Sequence, residues 1–242
     1  MKPLVTVIVL NFARSCNIPI IIDSIKSQTI LAEITIWNNG RIDPNDWQSN
    51  MEIYCSQNLY CWPRWFLASQ VSTEFVVCMD DDICPISPDS LEAIISIIPS
   101  RSKSPQLVGI EGVLLRPGAP YFPKYGRPWL RPGGPPDDGK SSLHLGYVNN
   151  RTSVDIVKGR FVAARTEYFS ALPMRTPYQN YCDDIAISSI IGKGRPTPHI
   201  LAPMNKKSFS DLPGKHSPNA ISRQPFNRML RERARKYYFS HI

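Results

Sequence analysis

Three consecutive aspartates, Asp80, Asp81 and Asp82, come directly after the apolar residues 75–79. Neighbouring carboxylates repel one another, and the end of a buried strand disfavours their charge. A hard divalent cation such as Mg²⁺ or Mn²⁺ removes that cost, because it takes carboxylate and phosphate oxygens as ligands. The triplet contains a DXD motif (Asp80-x-Asp82) and predicts a metal site for a phosphate-bearing substrate. A solvated acidic turn is the alternative.

Polar residues also follow the two strands predicted before the triplet, at residues 4–10 and 33–37. A helical pattern lies between these strands, and strand, helix and strand within about 35 residues indicate a βαβ unit and a parallel α/β sheet. Ligands of open α/β sheets bind beyond the carboxyl ends of the strands. We therefore expect the triplet to meet the polar residues that end the earlier strands, which are Asn11, Arg14, Asn38 and Asn39.

Composition limits the class of protein. The chain has 242 residues, 42% of them hydrophobic and 20% charged, which suits a globular protein with one large core. Its six cysteines show no C-x-x-C spacing, so reduced thiols are expected rather than a disulfide framework. No apolar run reaches the length of a membrane span, and the N-terminus is better interpreted as a strand than as a signal peptide. These features predict a cytoplasmic protein.

Three motifs in this order resemble the GT-A glycosyltransferases: residues 7–14, the triplet at 80–82, and the Cys-Asp-Asp-Ile-Ala element at 182–186. Within that fold the chain is most similar to the exostosin-like transferases, over roughly residues 4–191. The resemblance implies an α/β fold with a central, mostly parallel sheet, and one GT-A domain over 1–242. Its expected parts are a Rossmann-like nucleotide-binding half (1–100), an acceptor-binding half (101–205) and a basic C-terminal tail (206–242).

The resemblance also implies a UDP-sugar donor and Mn²⁺, or Mg²⁺, as cofactor. The residues expected to line the uridine pocket are Asn11, Arg14, Asn38 and Asn39. Arg64 is expected to reach the uracil or the diphosphate, and Lys215 to touch phosphate. The asparagines could instead form turns, and Arg64 could be an ordinary surface arginine.

The metal and the reacting sugar are assigned to acidic residues on the same ground. Asp82 is the expected main metal ligand, Asp80 and Asp81 contact the ribose or the hydrated metal, and His216 contacts the metal or diphosphate. Asp184 is expected beside the reacting sugar, with Asp183 next to it. Asp183 stands where the family carries glutamate, and either aspartate could simply cap the helix that follows.

The acceptor is a separate question, because a fold does not determine a function. The net charge is +8, and the tail from residue 206 holds nine Lys and Arg residues but two acids. The proline-rich loop at 116–140 interleaves cations with aromatic rings, a combination that suits nucleic acid. A hydroxymethylated base in DNA, the acceptor of some viral enzymes, is slightly favoured.

Several alternatives remain for this second half. The acceptor could be a glycan, and the basic helix could lie on anionic lipid or pack on the domain with Met229 and Leu230 inward. A nucleotidyltransferase would also need paired carboxylates and a metal. A non-catalytic nucleic-acid-binding module, with a purely structural acidic cluster, is the alternative from another class.

Overall fold

The structure is a computed structural model that describes residues 2–40, 47–99, 104–122, 139–204, 207–214, 224 and 226–240, and the backbone of 129–130. Its strands are β1 (Val5–Asn11), β2 (Ala32–Asn39), β3 (Met51–Cys55), β4 (Phe75–Asp80), β5 (Ile83–Pro85), β6 (Val108–Gly109), β7 (Glu111–Leu114), β8 (Trp129–Leu130), β9 (Leu143–Gly146), β10 (Thr152–Val154), β11 (Ile156–Val157), β12 (Phe161–Arg165), β13 (His199–Leu201) and β14 (Phe209–Asp211). Its helices are α1 (Ile18–Lys26), α2 (Pro63–Ala68), α3 (Ser90–Ile95), α4 (Gln179–Gly192) and α5 (Asn227–Tyr238), with 3-10 helices at Ser15–Asn17 and Thr166–Phe169.

The central sheet has eight strands in the order β10-β13-β6-β12-β4-β1-β2-β3. Strands β4, β1, β2 and β3 run parallel, as do β13 and β6, whereas β12 runs antiparallel to both β4 and β6. A four-stranded sheet, β11-β7-β9-β8, and the pair β14-β5 complete the fold. The predicted α/β fold with a central, mostly parallel sheet is confirmed.

Strand β1 is buried on both faces, which explains its continuous run of β-branched residues. Val7 and its alternate neighbours belong to the core cluster that contains α1 and α3, whereas Ile8 belongs to the cluster with α2 and α4. Full burial of each such side chain contributes roughly 1.5–3 kcal/mol. These two layers fix the strand whose carboxyl end carries Asn11.

Residues 107–115 form two short strands instead of one. They form β6 and β7, which lie in different sheets, and β6 is an interior strand between β13 and β12. Two glycines allow β11 to pack closely against both strands. A Cβ on Gly109 would lie 2.2 Å from Val157 Cγ1, and one on Gly112 would lie 2.6 Å from the Ile156 carbonyl oxygen. Strand β11 therefore packs closer to β6 and β7 than a Cβ at either glycine would permit.

Helix α5 packs against α4 instead of projecting as a free tail. Leu230 packs on the core as expected, but the side chain of Met229 is 48% exposed. Arg231 and Arg235 are buried, so part of the positive charge counted in the tail lies inside the fold. None of the helices in the described part of the chain is both long and apolar enough to cross a membrane.

His199 is structural, and we expect it to make the fold sensitive to acid. Its Nδ1 accepts a hydrogen bond from the Leu107 amide (3.0 Å), and its Nε2 lies 2.8 Å from the Ser188 carbonyl oxygen. Burial lowers the pKa of His199 to about 4. Between about pH 6.5 and pH 4, His199 is protonated in the unfolded chain but not in the folded chain. The free energy of unfolding therefore falls by about 3 kcal/mol as the pH falls through this range.

Urea unfolding across pH 4–7 tests this expectation. A His199→Gln variant should lose less stability on acidification than the native chain, because glutamine does not titrate. Equal pH dependence of the two proteins would contradict the assignment.

Candidate active site

Asparagine side chains from two neighbouring strands meet at the carboxyl edge of the sheet. Asn11 is the register partner of Asn38, and Asn11 Nδ2 donates to Asn38 Oδ1 over 2.7 Å. Both side chains are buried, yet Asn11 Oδ1 and Asn38 Nδ2 have no hydrogen-bond partner in the described part of the chain. Buried polar atoms are rarely left unpaired, so the two asparagines are candidates for contact with a ligand.

Asn39 is used differently. Its Nδ2 donates to Asn58 Oδ1 (2.7 Å) and to the Tyr60 carbonyl (2.9 Å), and its Oδ1 accepts from the Leu59 amide (2.7 Å). These bonds hold the turn at residues 58–60 against the end of β2. In this structure Asn39 therefore has the contacts of a turn-forming residue.

The three aspartates of the triplet have different surroundings. Asp80, at the end of β4, is a register partner of Leu10 and has a side chain that is 32% exposed. Asp81 is buried and accepts hydrogen bonds from the Phe12 amide (2.7 Å) and from Arg14. Burial raises the pKa of Asp81 to about 7, although Arg14 and the Phe12 amide oppose the shift.

Asp82 is held by two arginines. Arg160 Nε donates to Asp82 Oδ1 over 3.0 Å, and Arg14 Nη2 lies 3.7 Å from Asp82 Oδ2. Arg160 comes from the turn before β12, which runs antiparallel to β4. The triplet thus faces cations from two segments that are far apart in the sequence.

Arg64 joins the triplet to the distal acidic motif. Its Nη1 lies 2.6 Å from Asp80 Oδ1 and also donates to the Gly159 carbonyl (2.6 Å), and its Nε lies 3.5 Å from Asp183 Oδ2. The side chain is 1% exposed, because α2 packs it under the sheet edge beside Trp65. Two carboxylates about 100 residues apart therefore converge on one guanidinium.

Asp183 and Asp184 lie in the first turns of α4, just after a kink with non-helical angles at Cys182. Asp183 Oδ2 accepts from Trp65 Nε1 over 2.8 Å. Burial raises the pKa of Asp183 to about 6, against the opposing charge of Arg64. The motif is buried and multiply bonded, so it does more than cap a helix.

Asp184 is kept ionised. Its Oδ2 lies 2.5 Å from Arg231 Nη2 on α5 and 3.9 Å from Lys158 Nζ. Burial alone would raise the pKa of Asp184, but these two cations outweigh it and lower the pKa. A carboxylate held in this form is suited to stabilising positive charge and is a weak proton acceptor.

The sequence did not predict that Tyr121, Lys158 and Arg231 surround Asp184. The hydroxyl of Tyr121 lies 2.9 Å from Arg231 Nη2 and 2.5 Å from Lys158 Nζ. Burial, together with Arg231, lowers the pKa of Lys158 to about 7. These residues carry no motif in the sequence, and only the fold brings them together.

The carboxylates suit a hard divalent cation held by few protein ligands. No group of three or more His, Cys, Asp or Glu side chains capable of holding a metal occurs among the described residues. Asp80 and Asp82 supply carboxylate oxygens at the sheet edge, and Mg²⁺ and its like are often bound by one or two carboxylates plus substrate phosphates. Lys215 and His216, the other predicted contacts to phosphate and metal, lie outside the described residues.

Comparisons with known proteins support the fold. No protein-family model matches the chain, and no curated protein matches its sequence. A mannosyltransferase from Pyrobaculum calidifontis, solved with GDP-Man and Mn²⁺, superposes with a TM-score of 0.51 at 16% identity, covering 99% of this chain and 73% of its own. Glucosyl-3-phosphoglycerate synthase from Mycobacterium tuberculosis, solved with Mn²⁺ and UDP, reaches a TM-score of 0.33 at 18% identity over 45% of this chain and 43% of its own. At these identities the first likeness establishes the fold alone, and the chain has the GT-A fold of glycosyltransferases.

Proposed function

We propose that the protein is a metal-dependent glycosyltransferase that moves a sugar from a nucleotide sugar to an acceptor hydroxyl. The observation that carries this proposal is the convergence of two acidic motifs on Arg64 at the carboxyl edge of the sheet. One motif, Asp80–Asp82, suits a metal diphosphate, and the other, Asp183–Asp184, suits a reacting sugar. The specific similarity to exostosin-like transferases stays a prediction.

The donor base is proposed to bind at Asn11 and Asn38. The unpaired Asn11 Oδ1 accepts, and the unpaired Asn38 Nδ2 donates, so together they complement a base edge that presents N–H beside C=O. Uracil has such an edge, and so does guanine. We keep UDP-sugars as the first expectation, with Arg14 in the uridine pocket and Lys215 as a predicted phosphate contact.

The chemistry breaks the bond between the sugar C1 and the diphosphate oxygen and forms one between C1 and the acceptor oxygen. The bonding electrons leave with the nucleoside diphosphate, and the proton of the acceptor hydroxyl passes to the leaving phosphate or to solvent. A divalent metal at Asp80 and Asp82 would neutralise the charge of that leaving group. Asp184 stabilises the positive charge that develops at C1. Trp65 and Arg64 hold the carboxylate of Asp183, and we assign Asp183 to positioning Asp184.

The second half, residues 101–205, is proposed to bind the acceptor together with the basic tail that contains α5. Of the cations in α5, Arg228, Arg233 and Lys236 are exposed, whereas Arg231 and Arg235 are buried. The exposed set supports an anionic surface partner, and a hydroxymethylated base in DNA remains the acceptor we propose to test first. A base inside a duplex would have to be flipped out to reach Asp184. A glycan acceptor is the second candidate.

Product analysis with purified protein tests the function. We expect Mn²⁺-dependent release of UDP or GDP from a matching nucleotide sugar, stimulated by acceptor, and loss of release in Asp82→Ala. Asp23→Ala, an exposed carboxylate on α1, is the matched control and should retain activity.

Three outcomes would point elsewhere. Release of pyrophosphate would indicate a nucleotidyltransferase, and absence of any donor turnover would leave a binding module. Transfer to oligosaccharide but to no modified DNA would end the DNA proposal. Transfer to DNA should weaken steeply with salt, because phosphate contacts dominate such binding.

A further inference from the structure

A segment late in the sequence, residues 208–214, lies across the candidate donor site; we call it the brace. Its strand β14 pairs antiparallel with β5, which directly follows the triplet, and Phe209 packs edge-on against Phe161 at 4.8 Å. The Leu212 amide donates to the Asp82 carbonyl over 2.8 Å. The brace therefore contacts the turn of the triplet through its backbone.

Asn17 fastens the brace to the same turn. Its Nδ2 donates to the Asp81 carbonyl (2.8 Å) and to the Pro213 carbonyl (2.9 Å). Asn17 stands at the start of α1, where its side chain would ordinarily cap the helix, but it makes no capping bond. The Asn17 side chain instead links the turn of the triplet to the brace.

Arg160 makes a second tie. One of its nitrogens, Nη2, lies 2.6 Å from Asp211 Oδ1 of the brace and donates to the Asp82 carbonyl over 2.8 Å. Its Nη1 lies 3.5 Å from Glu111 Oε1. Three carboxylates, Asp82, Asp211 and Glu111, thus share one guanidinium, and the brace supplies one of them.

Gly214 ends the brace at the closest approach to Arg14. Arg14 Nε donates to the Gly214 carbonyl over 3.1 Å while its Nη1 binds Asp81. A Cβ on Gly214 would lie 2.8 Å from both Cδ and Nε of Arg14, and the backbone there has φ of +88°. The missing side chain leaves the space that the Arg14 side chain occupies.

We propose that Gly214 and the brace are positioning elements of the donor site. They hold Arg14 between Asp81 and the Gly214 carbonyl, and thereby fix the turn that carries Asp80–Asp82. The consequence for nucleotide binding rests on the proposed function. The coupling of Arg14 to Gly214 does not, because it follows from the contacts alone.

Gly214→Ala tests the proposal against a matched control, Gly194→Ala. Gly194 is exposed, has φ of +69° and lies beyond the end of α4, so its variant carries a similar backbone strain without a contact to Arg14. We expect Gly214→Ala to weaken binding of UDP or GDP in the presence of Mn²⁺ by about tenfold or more, and Gly194→Ala to stay within about twofold of the native chain. Calorimetric titration measures both.

A double-variant cycle shows whether the effect acts through Arg14. Once Arg14→Ala removes the crowded atoms, adding Gly214→Ala should shift the unfolding temperature only as much as Gly194→Ala does. A larger, additive shift would overturn the proposal, as would equal nucleotide affinity of the Gly214→Ala and Gly194→Ala proteins. If the native chain binds neither nucleotide, the proposed function fails, and the thermal cycle still decides the coupling.

Discussion

Asp184→Asn is expected to lower kcat for sugar transfer by two to three orders of magnitude, about the effect of removing one preorganised charge-stabilising group. The substitution keeps the shape of the side chain and removes the negative charge held by Arg231 and Lys158. In the proposed reaction, the positive charge that develops on the sugar then meets two cations without their partner. Steady-state release of nucleoside diphosphate at saturating donor measures the change.

The affinity for the donor should stay nearly constant in this variant, because the proposed donor contacts at Asn11, Asn38 and Asp82 are untouched. A spectroscopic melt must accompany the kinetics, since Arg231 loses its buried partner. Asp184→Glu retains the charge but displaces it, so it should fall between the native chain and Asp184→Asn. Transfer by Asp184→Asn at half the native rate or more would remove Asp184 from the reaction.

The sheet edge was predictable because it depends on local patterns. The β-branched run of β1 marks a strand buried on both faces. The parallel register that follows pairs Asn11 with Asn38, and pairs Asp80 with Leu10, the residue before Asn11. The rule that ligands bind beyond the carboxyl ends of parallel strands needs only the order of the elements. This much of the site follows from sequence without any contact being known.

The cations that hold the carboxylates were not predictable in the same way. Arg160 precedes a short strand that runs antiparallel within a parallel sheet, and Arg231 lies in a tail whose composition indicates a basic surface. Each is buried only because the fold brings a carboxylate to it from far along the chain. Counting charge along a segment cannot separate an internal ion pair from a solvent-facing cation.

The same reasoning applies to Asn17, whose place in the sequence suggests only a local role. Asparagine before Ile18 and Pro19 is typical of a helix N-cap. The structure uses its amide for the carbonyls of Asp81 and Pro213, partners that lie 64 and 196 residues away in sequence. Sequence patterns indicate which local hydrogen bonds a side chain could make, and the tertiary fold determines which hydrogen bonds it makes.

Arg64→Met is expected to destabilise the folded chain by about 3–5 kcal/mol, the range for breaking a buried ion pair from one side. Arg64 is 1% exposed and binds Asp80, Asp183 and the Gly159 carbonyl, so its loss leaves the half-buried Asp80 and the buried Asp183 without this counter-ion. Urea unfolding at pH 8 measures the change.

Because burial already raises the pKa of Asp183 to about 6, losing Arg64 raises it further, and the folded variant retains a proton that the unfolded chain releases. The variant should therefore lose stability as the pH rises from 5 to 8, more steeply than the native chain. Adding Asp183→Asn should restore part of the loss and flatten that pH dependence, whereas a loss below about 1 kcal/mol, the scale of a surface ion pair, would show that Arg64 is not the link between the two motifs.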